Sequence, residues 1–69
     1  MKYPQVLRIL LDNGFEQARQ RGSHRTYKGV VGGRTRIVTL SHHSLNDDVL
    51  PKTLASIIRQ SGLPKSLFR

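Results

Sequence analysis

Arg19-Gln20-Arg21-Gly22-Ser23-His24-Arg25-Thr26-Tyr27 is the stretch on which the fold turns. Arg21-Gly22-Ser23 is a turn signal between two short extended segments. After it the residues alternate: His24, Thr26 and Lys28 fall on one face, Arg25 and Tyr27 on the other. Thr and Tyr favour a strand. Tyr27 is the natural inward anchor, which turns the His24 face outward. Before the turn, Phe15 to Gln20 alternates weakly. Its place between a helix stop and a turn makes it the partner strand.

Working outward, Gly29-Val30-Val31-Gly32-Gly33 is expected to be a hairpin connection, with Gly32-Gly33 supplying positive φ. No helix start and no Gly-x-x-x-x-Gly-Lys pattern accompanies it, so a phosphate cradle is disfavoured. Arg34 to Leu40 is the best strand of the three, rich in strand-favouring Thr, Ile and Val. On the N-terminal side, residues 4 to 13 show the helical recurrence of Val6, Leu7, Leu10 and Leu11. Pro4 suits the first helical position. Gly14 stops the helix, and Phe15 packs back on Leu10. On the C-terminal side, Ser41 to Leu50 reads as a polar loop. A helix follows from about Pro51 to Ser61, with Leu54, Ile57 and Ile58 as its stripe. It is closed by Gly62, with Leu63 folding back on Ile58 and Pro64 forbidding continuation. Leu67 and Phe68 in the tail dock on the core or on a partner.

The expected architecture is therefore α+β, in the order α-β-β-β-α, as one domain over residues 1–69. Three sequential strands form an antiparallel meander. Both helices carry one apolar stripe and cover the same face. The other face is left to water or a ligand.

A 69-residue chain buries only about 60% of its unfolded surface. It has no cysteine to supplement the core. No apolar run approaches the roughly 20 residues of a membrane span, and the N-terminus carries no signal-peptide pattern. A soluble cytoplasmic domain with no membrane partner is expected. Twelve Lys/Arg against four Asp/Glu give a net charge of +8. Such an excess points to a polyanion, nucleic acid first and an acidic protein or membrane surface second. Six of the cations, Arg19, Arg21, Arg25, Lys28, Arg34 and Arg36, fall in one run without an acid.

Within that run His24 is the candidate for chemistry. A neutral imidazole accepts a proton near pH 7. Beside a ribose 2′-hydroxyl it would act as general base, and the alkoxide would attack the adjacent phosphorus. That route needs RNA and no metal or other cofactor. Arg or Lys would stabilise the charge on the phosphoryl oxygens. On the residues alone, a surface histidine in the Gly22-Ser23 turn, or hydrogen-bonded to it, is favoured over catalysis. A zinc site would need His24 with His42 or His43 and Asp47 or Asp48, and the spacing matches no compact ligand pattern. Ser23 as nucleophile is disfavoured, because strand neighbours point to opposite faces. It stands instead with Arg19, Arg21, Arg25, Lys28, Arg34 and Arg36 as a candidate RNA contact. Asp47-Asp48 reads as the acidic approach to a helix N-terminus.

Three segments carry a resemblance to a known family: Val6 to Phe15, Arg19 to Tyr27, and Thr53-Leu54-Ala55-Ser56-Ile57-Ile58-Arg59-Gln60-Ser61-Gly62-Leu63. In this order and length they resemble the HicA (YcfA-like) toxins of type II toxin–antitoxin systems. The resemblance implies a fold like a double-stranded-RNA-binding domain. It implies an mRNA interferase that arrests translation, with His24 of the Gly-Ser-His turn as its catalytic residue. It also implies a HicB-like antitoxin that covers the active site, and a toxin monomeric by itself but held in a larger complex. After the third strand, members often carry Pro-x-His or Pro-His where this chain has Ser41-His42-His43. The competing reading is a basic RNA-binding module of the same fold without catalysis. A third is an adaptor whose basic face meets an acidic protein.

Overall fold

The computed structural model describes residues 1–41 and 48–68. Its order is α1 (Tyr3–Asp12), β1 (Glu16–Arg21), β2 (His24–Val31), β3 (Arg34–Ser41) and α2 (Pro51–Ser61), followed by a 3-10 turn over Lys65–Phe68. The strands form one antiparallel sheet in the order β1-β2-β3. This is the expected αβββα layout.

Helix α1 starts one residue earlier than Pro4. Proline is tolerated there too, since the first four helical N–H groups lack intrahelical partners. Gln5 Oε1 accepts from the Lys2 N–H at 2.7 Å, which fixes the entry to the helix. Its end is a Schellman turn: the Phe15 N–H donates to the Leu10 carbonyl (3.0 Å) and the Gly14 N–H to that of Leu11 (3.3 Å). The turn delivers Phe15 into the core. Helix α2 closes differently. The Gly62 N–H donates to the Ile58 carbonyl, and the Leu63 N–H finds the buried Ser61 Oγ at 3.1 Å. The side chain thus takes over the second bond that a Schellman turn would make.

The largest departure from expectation is at Gly29-Val30-Val31. These residues are not a loop but the second half of β2, paired through to Arg34. Only Gly32-Gly33 makes the turn. Gly29 sits inside the strand because Phe15 lies on it: a Cβ there would fall 2.8 Å from the Phe15 ring. A glycine in a strand interior marks such a close approach. Arg21 likewise belongs to β1 and pairs with His24, leaving a two-residue Gly22-Ser23 turn. Gly22 has φ +56° and Ser23 a negative φ, the glycine-first pattern of a type II′ hairpin.

One apolar cluster holds the fold together. Tyr3, Val6 and Leu10 from α1, Phe15, Tyr27, Val38, Leu40, Val49, Ile57 and Phe68 are all buried. Tyr27 pairs with Val38, so both lie on the face the helices cover. Val49, within the stretch expected to be a polar loop, is a core residue. Its N–H donates to the Met1 carbonyl at 2.9 Å, and the neighbouring Asp48 meets Lys2 Nζ at 3.1 Å. The tail residue Phe68 is buried in this cluster, while Leu67 stays exposed.

Candidate functional site

Strand register sorts the cationic run into two sets. Residues directly opposite in an antiparallel pair share a face. Arg21, His24 and Ser41 form one cross-sheet row; Arg19, Thr26 and Thr39 form the next; Glu16, Lys28 and Ile37 the third. None of these side chains is buried, and they make up the face opposite the helices. Arg19 shares the His24 face by alternation from Arg21, and a bulge between Gln17 and Arg19 absorbs Ala18 and brings Glu16 onto the same face opposite Lys28. The fold therefore brings Arg19, Arg21 and Lys28 together with His24.

Arg25, Arg34 and Arg36 lie on the other face, opposite Leu40, Val31 and Gly29 respectively. Arg36 is half-buried, and its Nε donates to the Val31 carbonyl at 3.4 Å. Its guanidinium fills the space beside Gly62, where a Cβ would fall 2.8 Å from Cζ. A cation at the α2 C-terminus also complements the helix dipole. Arg36 thus ties the β2–β3 hairpin to α2. Ser23 sits half-buried in the turn itself. Of the other zinc candidates, His42, His43 and Asp47 lie outside the described residues, as does most of the loop that carries them, and Asp48 is paired with Lys2.

His24 occupies the first position of β2 and is exposed. Two features hold its row in place, and neither was visible in the sequence. The first is Tyr3: its hydroxyl donates to the Ser41 carbonyl at 2.9 Å, linking the row to the buried base of α1. The two residues are 38 apart in sequence, so no local pattern signals the pair. The second is a run of glutamines behind the turn. Gln17 Nε2 donates to Gln20 Oε1 (3.3 Å), and Gln20 Nε2 reaches the Gly22 carbonyl (3.5 Å).

Among the described residues no salt bridge reaches the cations of this face, and Glu16 is the acid that stands opposite Lys28. Among the described residues the ion pairs are Lys2–Asp48 and Arg8–Asp12, both involving the N-terminal segment or α1. They engage Asp48 and Asp12, so no salt bridge among the described residues involves Arg19, Arg21 or Lys28. A groove of about 400 Å³ along α1, lined by Pro4, Leu7, Arg8, Leu11 and Asp12, contains none of these residues. No helix among the described residues is long and apolar enough to cross a membrane.

A small αβββα domain with one helix-covered and one basic open face is the frame so defined. The family model described as the HicA toxin of bacterial toxin–antitoxin systems matches residues 3–63. The chain belongs to that family and is the toxin of a toxin–antitoxin pair. A comparison with individual curated proteins finds no match.

Proposed function

We propose that this toxin is an endoribonuclease that cleaves single-stranded mRNA without a metal, with His24 as general base. The observation that carries the reading is the open-face row of Arg21, His24 and Ser41, backed by Arg19 and Lys28. A neutral His24 accepts the proton of a ribose 2′-hydroxyl. The 2′-oxygen bonds to phosphorus, and the bond to the 5′-oxygen breaks. A 2′,3′-cyclic phosphate remains on one fragment. The leaving oxygen takes a proton from water and becomes a 5′-hydroxyl. Arg21 and Arg19 are the nearest cations by register to counter charge on the phosphoryl oxygens. Loss of mRNA arrests translation in the cytoplasm. A HicB-like antitoxin of acidic character silences the enzyme by competing for this basic face.

His24→Ala tests the proposal. Cleavage in EDTA should fall by about 10²- to 10⁴-fold, the range of a lost general base. The thermal unfolding curve should stay unchanged, because the side chain is exposed. Equal cleavage by the variant would remove His24 from the mechanism. RNA binding without cleavage, unaltered by the substitution, would instead favour a non-catalytic RNA-binding module.

A further inference from the structure

The free edge of β3 is half closed. Val31 and Arg34 flank the two-residue turn as a hydrogen-bonded pair. Arg36, Val38 and Leu40 therefore direct their backbone groups at β2, and Thr35, Ile37, Thr39 and Ser41 direct theirs to the free edge. On two of these four residues one backbone group is met by a side chain. The Thr39 N–H donates to Gln60 Oε1 of α2 (3.5 Å), and the Ser41 carbonyl accepts from the Tyr3 hydroxyl (2.9 Å). Among the described residues nothing meets the edge-facing groups of Thr35 and Ile37. The same half of the sheet carries exposed apolar side chains on the open face: Ile37 is 47% and Val30 67% exposed, as diagonal neighbours. The other edge strand, β1, is interrupted by its bulge, a feature that disfavours pairing.

We infer that the Thr35–Ile37 edge is a strand-addition site for an extended acidic segment of the partner antitoxin. Main-chain groups of Thr35 and Ile37 pair with the incoming strand, and an apolar side chain of that strand packs beside Ile37 and Val30. Charge selects the occupant. Exposed Arg34 stands next to the site in β3, and Lys28 lies opposite Ile37. A second copy of this chain would bring another +8 against the same edge, whereas an acidic segment is attracted. RNA offers no ladder of N–H and C=O groups to match. Ile37 lies four residues from Ser41, roughly 13 Å along the strand. The edge is thus an anchor set apart from the His24 row. The inference rests on the toxin–antitoxin partnership and is independent of the cleavage reading.

Ile37→Pro removes the edge-facing N–H while leaving the β2 ladder intact, a placement edge strands tolerate. Titrated by calorimetry with the purified antitoxin of the pair, it should bind about tenfold or more weakly, the scale of one lost hydrogen bond plus apolar contact. Its RNA cleavage should match that of the unaltered chain. Ile37→Val, which keeps the amide, should bind as the unaltered chain does. Amide hydrogen exchange on the unaltered complex gives a reading that needs no variant: the Thr35 and Ile37 amides should slow when antitoxin is added. Unslowed amides, or undiminished binding by a folded Ile37→Pro, would overturn the inference. So would slowing caused by raised concentration of the chain alone, or by RNA.

Discussion

On the helix-covered face of the sheet, each position is set by a neighbour. Tyr27, Val38 and Leu40 are enclosed by Val6, Leu10, Phe15 and Ile57, and Gly29 exists to admit the Phe15 ring. Even a cation on that side, Arg36, is bound to a backbone carbonyl and packed on Gly62. On the open face the same strands present His24, Arg19, Arg21 and Lys28 with no ion pair among the described residues. Arginines spaced closely in sequence thus do different work: Arg36 on the covered face braces the fold, and Arg19 and Arg21 on the His24 face leave their charge available. The difference is one of strand parity, not of composition.

Substitutions should separate the faces sharply. Phe15→Ala removes a ring that is 1% exposed and should cost about 3–5 kcal/mol, enough to unfold much of so small a domain. A near-native denaturation midpoint would mean that the ring is not the keystone of the covered face. Gly29→Ala adds a Cβ 2.8 Å from that ring and should cost about 1–3 kcal/mol through overpacking. Here a stabilised variant would show that Phe15 has room to move. Tyr3→Phe loses the bond to the Ser41 carbonyl and should cost about 1 kcal/mol. Because that bond links the covered face to the His24 row, slower RNA cleavage should accompany the lower midpoint.

The smallest effects should appear on the open face. Lys28→Ala should leave the denaturation midpoint within about 0.5 kcal/mol of the parent. It should reduce the salt dependence of RNA binding by a slope of about 0.7, as expected for one phosphate contact on a single strand. Arg36→Ala should do the reverse, lowering stability and leaving the salt slope alone. If the two variants exchanged these signatures, the division of the cations by face would be wrong.

Much of this was legible in the chain itself. Helical spacing, the glycine stops and the strand-rich Arg34 to Leu40 gave the element order. The alternation from His24 to Lys28 correctly set Tyr27 inward and His24 outward. Two readings failed for identifiable reasons. Gly29-Val30-Val31 resembles a loop because glycine is poor in strands, and only the arrival of Phe15 explains its place in β2. Val49 stands beside Leu50 in a stretch without periodicity, so nothing local marks which of the two is core; its burial follows from the pairing of the Asp48 segment with the N-terminus.

The αβββα order, the strong positive charge and the position of His24 after a Gly-Ser turn follow from local preference and from counting residues along the chain. Which cations share the face of His24 was decided only by tertiary structure. Sequence proximity groups Arg25 with His24, whereas strand parity sends it to the helix side. The two-residue turn fixes the register of β1 so that Arg21 and, two residues back, Arg19 share the face of His24 instead. The open half-edge at Thr35 and Ile37 belongs to the same class. Its limit is marked by Gln60 and Tyr3, far away in the chain, which cap one group of Thr39 and one of Ser41.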